Sequence, residues 1–152
     1  MVKDLALTGA AGEYYVAFRL LAKNYTVALT PRGTTSIDMI VANRETGKTI
    51  TIQTKTGKDA FVKRNSLWNW RVGRPRKPFA SFFYVFVDLK NDPSQTPDVF
   101  IVPSEKLRPL LTVYPEGADP ESPEAKDVWV GIDEEDAPKY RNKWELIERF
   151  LA

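Results

Sequence analysis

The chain has 152 residues, of which 43% are hydrophobic and 28% charged, and a formal net charge of +2; these values are typical of one globular domain and exclude a disordered chain. Its longest apolar run, residues 82–87, is too short to cross a bilayer, and its start lacks the apolar core of a signal peptide, so we expect a cytoplasmic protein with no membrane partner. Cysteine and histidine are both absent, which excludes disulfides, thiolate metal sites and histidine-based catalysis, and leaves carboxylates, lysine, tyrosine or a hard metal ion for any chemistry.

The first part of the chain predicts one helix followed by three strands. Residues 9–24 have apolar side chains at helical spacing, and residues 25–30 favour a short strand. Residues 36–42 and 49–56 predict two more strands, joined by a turn in which Gly47 can adopt a left-handed conformation. These two strands should therefore form a hairpin.

The middle of the chain predicts a long loop and two buried strands. Residues 61–79 show no clear period and contain two prolines and two tryptophans, so we expect a functional loop there. Residues 82–89 and 99–102 are dense in aromatic and β-branched residues, as buried strands are. They should complete a central sheet of about five strands.

The rest of the chain predicts short helices around a surface excursion. Pro103 can begin a short helix, and the last helix is expected from Ala137 onward. Residues 114–127 are rich in proline and acids, which is typical of a surface excursion. The expected fold is therefore α/β (α+β), a single domain over residues 1–152 in which helices flank a mixed sheet, with a basic loop insertion at about residues 57–80.

Four polar residues lie where the predicted elements are otherwise apolar. Side chains alternate between the faces of a strand, so Gln53 and Lys55 are neighbours on one face. Asp38 lies between apolar residues of the partner strand, and Glu13 lies on the inward face of the first helix. A buried carboxylate loses hydration unless a lysine or a metal ion pairs with it. Taken singly, each residue also has an ordinary explanation, since strand-end lysines are common and the helix dipole favours an acid in the first turn.

One arrangement explains all four positions together. Asp38 and Glu13 would converge on a hard divalent cation, with the amide oxygen of Gln53 or the following backbone carbonyl as a further ligand. Lys55 would stand beside the cation. Mg²⁺, with Mn²⁺ as an alternative, suits one or two carboxylates together with the phosphate oxygens of a substrate. The four residues therefore predict phosphodiester chemistry without histidine.

Three segments resemble a known family of nucleases. They are Gly12-Glu13, Ile37-Asp38-Met39-Ile40-Val41 and Ile52-Gln53-Thr54-Lys55, all within residues 9–56. The segments resemble the PD-(D/E)XK nuclease superfamily, which has the restriction-endonuclease-like fold. They are most similar to variants with glutamine two residues before the lysine and an added helix glutamate, as in Mrr-like restriction enzymes and some intron homing endonucleases.

The resemblance implies a role for each of the four residues. Asp38 is then a metal ligand, Glu13 supports the same metal or a second one, and Lys55 positions or deprotonates the attacking water and stabilises charge on the phosphate. Gln53 stands where the family usually has a carboxylate, which removes one negative charge and weakens metal binding. Ile37 replaces the proline of the motif, a minor departure.

The implied activity is metal-dependent cleavage of DNA. We expect an endonuclease that hydrolyses phosphodiester bonds of double-stranded DNA at specific sites, of restriction or homing type, with no small-molecule cofactor besides the metal. Because a duplex has two strands and one chain carries one site, a homodimer or homotetramer is expected. The alternatives are a Holliday-junction-type resolvase, a catalytically inactive nuclease fold that binds DNA, and an interaction domain with no nucleic-acid role.

The small net charge hides one basic and one acidic stretch. Residues 44–78 contain ten lysines or arginines against two acids, a net of +8, whereas residues 116–136 contain nine acids against one lysine, a net of −8. The basic stretch is either a DNA-binding surface or a solvated loop, and its two tryptophans either stack on bases or pack the loop onto the core. The acidic stretch is most simply a solvated loop; otherwise it mimics DNA, contacts a second subunit or shields the basic face. The predicted DNA-binding residues are Arg32, Lys58, Lys63, Arg64, Trp68, Trp70, Arg71, Arg74, Arg76 and Lys77.

Overall fold

A computed structural model describes residues 5–31 and 36–152. Within these residues, two β-sheets pack face to face, and the first and last helices cover the outer side of the larger sheet. None of the described helices is long and apolar enough to span a membrane. The helices are α1 (Leu5–Ala22), α2 (Ala137–Tyr140) and α3 (Glu145–Leu151), and the strands are β1 (Thr26–Leu29), β2 (Met39–Ala42), β3 (Thr49–Gly57), β4 (Phe61–Val62), β5 (Leu67–Arg71), β6 (Phe82–Asp88), β7 (Asp98–Pro103), β8 (Leu111–Tyr114) and β9 (Asp127–Asp133).

The larger sheet has five strands in the order β1-β2-β3-β6-β7. Its strands pair antiparallel except for β3 and β6, which are parallel, so the sheet is mixed. The predicted hairpin is present as β2 and β3, in which Met39 pairs with Ile52 and Ala42 with Thr49. The prediction of a mixed five-stranded sheet flanked by helices is therefore confirmed.

Strand β6 is buried on both faces, which explains its continuous apolar sequence. Phe83 and Val85 pack with residues of α1 and α3 on one side, whereas Tyr84 and Phe86 pack with the smaller sheet on the other. A strand that is covered on both faces has no exposed position at which a polar residue would be favoured. The larger sheet is therefore the central layer of the molecule.

The smaller sheet corrects the prediction of a long loop at residues 61–79. Strands β4 and β5 lie within those residues and pair with β9 and β8 in the order β4-β5-β9-β8. In β5 the side chains alternate, and Trp68 and Trp70 point into the core. The same alternation buries Val128, Val130 and Ile132 in β9. In the sequence, charged residues and prolines surround the short alternating patterns of β5 and β9. For this reason the sequence did not predict these two strands.

The end of the chain also differs from its predicted form. The expected last helix is divided into α2 and α3 by a turn in which Asn142 has a φ of 54°. The Asn142 side chain accepts a hydrogen bond from the backbone N–H of Val99 at 3.0 Å, so the interruption fixes the turn to β7. The short helix expected after Pro103 consists of two 3₁₀ turns, Ser104–Lys106 and Arg108–Leu110.

A buried acid connects the two sheets. Asp98, at the start of β7, accepts a hydrogen bond from Arg141 at 2.6 Å and lies 3.4 Å from the Lys90 ammonium. The Arg141 guanidinium lies over the ring of Trp68 in the smaller sheet, 4.8 Å from its centroid. Burial alone would raise the pKa of Asp98, but Arg141 and Lys90 outweigh it and hold this pKa below its usual value of 3.8.

Helix α1 approaches β3 so closely that one position requires glycine. A Cβ atom at Gly12 would lie 1.8 Å from the hydroxyl oxygen of Thr56 and 2.7 Å from its Cβ. At Gly9, three residues earlier, a Cβ atom would meet nothing within 4 Å. The contact at Gly12 therefore sets the height of α1 above the sheet, and with it the position of Glu13.

Replacing Gly12 with alanine should destabilise the protein by about 1–3 kcal/mol, because α1 and β3 have to move apart to make room for the methyl group. This cost should outweigh the gain of about 1 kcal/mol in helix propensity. The control is Gly9→Ala, which gains the propensity without a clash. Urea unfolding of both variants is the measurement, and equal changes in stability would contradict the close contact.

Replacing Arg141 with methionine should destabilise the protein at pH 7 by about 1–3 kcal/mol, because Asp98 loses its nearest donor. Folding lowers the pKa of Asp98, so this stabilisation is present above pH 3.8 and is lost as the pH falls through the folded-state pKa. Urea unfolding should therefore show a difference from wild type that shrinks below pH 3.8. Arg149→Met, at an exposed position of α3, is the control. A difference that does not change with pH would rule out the ion pair as its cause.

Candidate active site

Strand β3 has an open edge where β2 leaves it. The pairing between the two strands ends at Met39 and Ile52, whereas β6 follows β3 to its last residue, Gly57. Among the described residues, no strand pairs with residues 53–57 on the β2 side. Gln53 and Lys55 therefore lie on a strand with one backbone edge available.

Asp38 lies at the point where the two strands separate, one residue before β2 begins. Its backbone N–H donates to Ile52 at 2.8 Å, and its carbonyl oxygen accepts a hydrogen bond from the backbone N–H of Thr30 at 3.0 Å. Its carboxylate Oδ2 accepts the backbone N–H of Thr54 at 2.7 Å and the Thr54 hydroxyl at 3.1 Å. The carboxylate thus takes the place of the missing strand and is held against the edge of β3. Sequence reasoning did not identify Thr54 in this role.

Glu13 and Asp38 line one cleft, named here the acidic cleft. It lies between α1 and the segment that joins β1 to β2, has a volume of about 400 Å³, and is also lined by Leu5, Tyr14 and Thr30. Both carboxylates are half-buried. The inward direction predicted for Glu13 agrees with this position, because the tight contact at the preceding glycine turns this part of α1 toward the sheet.

Two residues of the acidic cleft, Glu13 and Asp38, offer carboxylate oxygens of the kind that a magnesium ion takes. The side-chain hydrogen bonds that Asp38 accepts from described residues end on Oδ2, which leaves Oδ1 for a cation. The described residues contain no cluster of three acids that could hold a metal, so the donors are two carboxylates at most. Mg²⁺ suits such a set, because it keeps several waters and completes its shell with substrate phosphate oxygens.

Gln53 and Lys55 lie on the other face of β3. Thr56 faces α1, so the alternation of a strand directs Thr54 to the same side and Gln53 and Lys55 to the side of the smaller sheet. Lys55 lines a second cleft of about 430 Å³, named here the basic cleft, together with Arg71, Arg74, Lys126 and Asp127. The four predicted residues therefore do not share one cleft, and they flank a single strand edge from its two sides.

Leu5 marks where the two sides meet. It lines the acidic cleft and also a third cleft, which contains Lys55, Thr8 and Lys58. The first turn of α1 therefore lies beside both the acids and the lysine. A phosphate at this end of β3 would have carboxylates on one side and cationic side chains on the other.

The predicted DNA-binding residues divide into three groups. The tryptophans Trp68 and Trp70 are buried, with 6% and 3% exposure, and the Trp70 indole N–H donates to the Val87 carbonyl at 3.0 Å. They pack the smaller sheet onto the larger one, so the interpretation that they stack on bases is wrong for this structure. Arg32 lies outside the described residues. The exposed group consists of Lys58, Lys63, Arg64, Arg71, Arg74, Arg76 and Lys77.

The acidic stretch supplies part of the basic cleft. Asp127 accepts a hydrogen bond from the Trp129 indole at 2.8 Å and from Arg71 at 2.7 Å, and these two donors hold the pKa of Asp127 below its usual value. Arg71 is therefore partly neutralised. Lys126, the one base within the acidic stretch, lines the cleft with Arg74 and Lys55. Nothing in the local sequence distinguishes this lysine, because β9 brings it there through long-range pairing with β5.

No protein-family model matches the chain, and no curated protein sequence matches it. Comparison with solved structures finds the structure of a bacterial homing endonuclease, I-Ssp6803I, with a TM-score of 0.62, covering 98% of this chain and 94% of that chain at 15% sequence identity. At this identity the similarity concerns the fold. The chain therefore shares its fold, a mixed five-stranded sheet flanked by helices, with a bacterial homing endonuclease.

Proposed function

We propose that the protein is a magnesium-dependent DNA endonuclease whose active site lies across the open edge of β3. The observation that carries the proposal is the position of Asp38, which Thr54 holds at this edge and which lines the same cleft as Glu13. Lys55 follows Thr54 directly on the strand, on the side of the basic cleft. The similarity in fold to a homing endonuclease supports the same reading.

The chain's own residues divide the work in this proposal. Glu13 and Asp38 would hold Mg²⁺. Because the Gln53 side chain points to the other face of β3, the backbone carbonyl after it, and not its amide, would be the further oxygen donor. The ion, when bound, supplies positive charge for the phosphate oxygens and lowers the pKa of a coordinated water. Lys55 stabilises negative charge on the phosphate and orients the attacking water. Thr54 keeps Asp38 in one orientation through two hydrogen bonds.

The DNA backbone would follow the basic cleft. Arg74 and Lys126 line it beside Lys55. Arg71 also lines it, and its charge is partly neutralised by the ion pair with Asp127. Exposed cations of this kind neutralise phosphates and bind DNA regardless of base sequence. Cleavage at specific sites of duplex DNA, of restriction or homing type, would require further contacts to base edges and two active sites, and hence at least two copies of the chain.

A second candidate function is DNA binding without cleavage. Gln53 replaces the carboxylate expected from the resemblance, and the described residues offer no third acid to compensate. The site is one negative charge short, which favours weaker metal binding. In this case the basic cleft would still bind DNA, and the acidic cleft would no longer hold a metal ion for cleavage.

Replacing Lys55 with alanine should lower the rate of Mg²⁺-dependent cleavage of a randomised duplex library by up to about 10³-fold, because a charge about 4 Å from the phosphate contributes about 4 kcal/mol at an effective dielectric constant near 20. Glu13→Gln should lower both the rate and the affinity for Mn²⁺, which calorimetry measures without DNA. Lys106→Ala, at an exposed lysine of a 3₁₀ turn, is the control.

These measurements separate the two candidate functions. If wild type and both site variants cut equally, the proposed site is wrong. If wild type binds DNA but does not cut with Mg²⁺ or Mn²⁺, the protein is a DNA-binding module. Cleavage that is lost only in the site variants, with Lys106→Ala unchanged, would establish the nuclease.

Replacing Arg74 and Lys126 together with alanine should weaken DNA binding and reduce its dependence on salt. The slope of log K against log salt concentration is negative, and each lost phosphate contact should make it less steep by about 0.9. Fluorescence anisotropy of a labelled duplex at several salt concentrations gives the slope, with Lys106→Ala as the matched control. An unchanged slope would remove the basic cleft from the DNA path.

A further inference from the structure

The outward face of α1 carries no charged side chain. The structure describes Leu5–Ala22 in full, and every exposed residue of this helix is leucine, alanine, tyrosine or phenylalanine. A helix on the surface of a monomer usually has charged residues on the face opposite the core. Here the inner face packs on β3 and the outer face is apolar as well. This outer face therefore has the composition of an interface.

The apolar residues of this face follow the spacing of a coiled-coil seam. Leu7, Ala11, Tyr14, Phe18 and Leu21 are separated by four, three, four and three residues. Alternating steps of this kind keep one stripe of a helix facing a second helix. The four large members of the stripe are 52% to 68% exposed. These five residues are named here the α1 seam.

We propose that the α1 seam binds the α1 seam of a second copy of the chain, with the two helices antiparallel and the twofold axis at Tyr14. About such an axis Tyr14 meets Tyr14, Leu7 meets Leu21, and Ala11 meets Phe18. The small side chain of Ala11 thus lies opposite the large ring of Phe18, which is the complementarity that interdigitated helices need. A twofold interface uses the same patch on both copies, so one sequence pattern has to fit itself.

The size of the seam is adequate for a stable interface. Tyr14 and Phe18 are 60% and 62% exposed, and Leu7 and Leu21 are 68% and 52% exposed. An aromatic side chain has about 150–250 Å² in total, so at these exposures the two rings leave roughly 250 Å² uncovered. The two leucines add a similar area, so two copies would bury on the order of 1,000 Å² in total, which reaches the lower bound for a specific interface. Within the seam there is no charge that would repel a second copy.

A lipid surface is a poorer occupant of the seam. Helices that lie on membranes combine an apolar face with a polar face rich in lysine and arginine. In α1 the opposite face is buried, and the one basic residue of the helix, Arg19, is turned to Tyr15 and Trp144. The chemistry of the seam therefore matches another helix.

The antiparallel pair would bring two acidic clefts together. Tyr14 lines the acidic cleft and also lies at the proposed axis, and Glu13 is its neighbour on the helix. Each copy would then place its acids beside the interface, as cutting two strands of one duplex requires. This consequence rests on the proposed function, whereas the dimer itself does not, and its test uses neither DNA nor metal.

The first test is the mass of the protein in solution by analytical ultracentrifugation at micromolar concentration. Wild type should have the mass of a dimer or a larger oligomer. Phe18→Glu should raise the dissociation constant by about 100-fold or more, because it buries unpaired charge at the interface. Adding Ala11→Lys to Phe18→Glu should restore the association, since each lysine would face a glutamate of the other copy. Tyr114→Glu, which changes an exposed aromatic residue of the smaller sheet, is the matched control.

The second test uses the absence of cysteine from the sequence. Under mild oxidation, Tyr14→Cys should form a disulfide between copies, and Leu7→Cys should do so only when combined with Leu21→Cys. A monomeric wild type, an association that Phe18→Glu leaves unchanged, or efficient crosslinking of Leu7→Cys alone would each overturn the proposal. Binding of a monomeric wild type to phosphatidylcholine vesicles would overturn it in favour of a lipid surface.

Discussion

The hydrogen bonds from Thr54 to the carboxylate of Asp38 form where β2 leaves β3, and the proposed site depends on them. A strand that loses its neighbour exposes a backbone N–H, and burying this group without a partner would cost about 1–3 kcal/mol. Asp38 supplies the partner from its side chain, so the same contact ends the pairing and fixes an acid at the edge. The same interaction thus stabilises the sheet locally and orients the carboxylate that is proposed to bind the metal.

Rigid packing on both faces of the larger sheet supports this edge. On one face, the glycine at position 12 lets α1 lie close to Thr56, which places Glu13 on the Asp38 side of the strand. On the other face, the smaller sheet packs through buried aromatic rings and brings Arg74 and Lys126 to Lys55. The strand edge is therefore a boundary between an acidic and a basic surface, and this division of charge is what a phosphodiester bound beside a cation needs.

The sequence predicted the parts of the site that follow from local periodicity. The inward direction of Glu13 follows from helical spacing, and the common face of Gln53 and Lys55 follows from strand alternation. Thr54 was missed because its role depends on where β2 ends, which periodicity does not determine. The smaller sheet was missed for two reasons. Strand β5 pairs with β9, which is far along the chain. The alternation of buried and exposed residues in β5 is also short, and charged residues flank it in the sequence. Strand pairing of this kind is set by burial against the rest of the fold rather than by intrinsic preference.

Gln53 makes the balance between the two clefts different from that of a site with three carboxylates. Glu13 and Asp38 are the acids that the described residues place in the acidic cleft, so a divalent cation there would be neutralised but not overcompensated. Phosphate oxygens would then be attracted to the ion without opposition from a third acid. Metal and DNA would then bind more tightly together than separately, because each supplies charge that the other lacks. Under the proposed function, a neutral glutamine would thus shift part of the metal affinity from the protein to the substrate, and a basic cleft that bound DNA would also help to hold the ion.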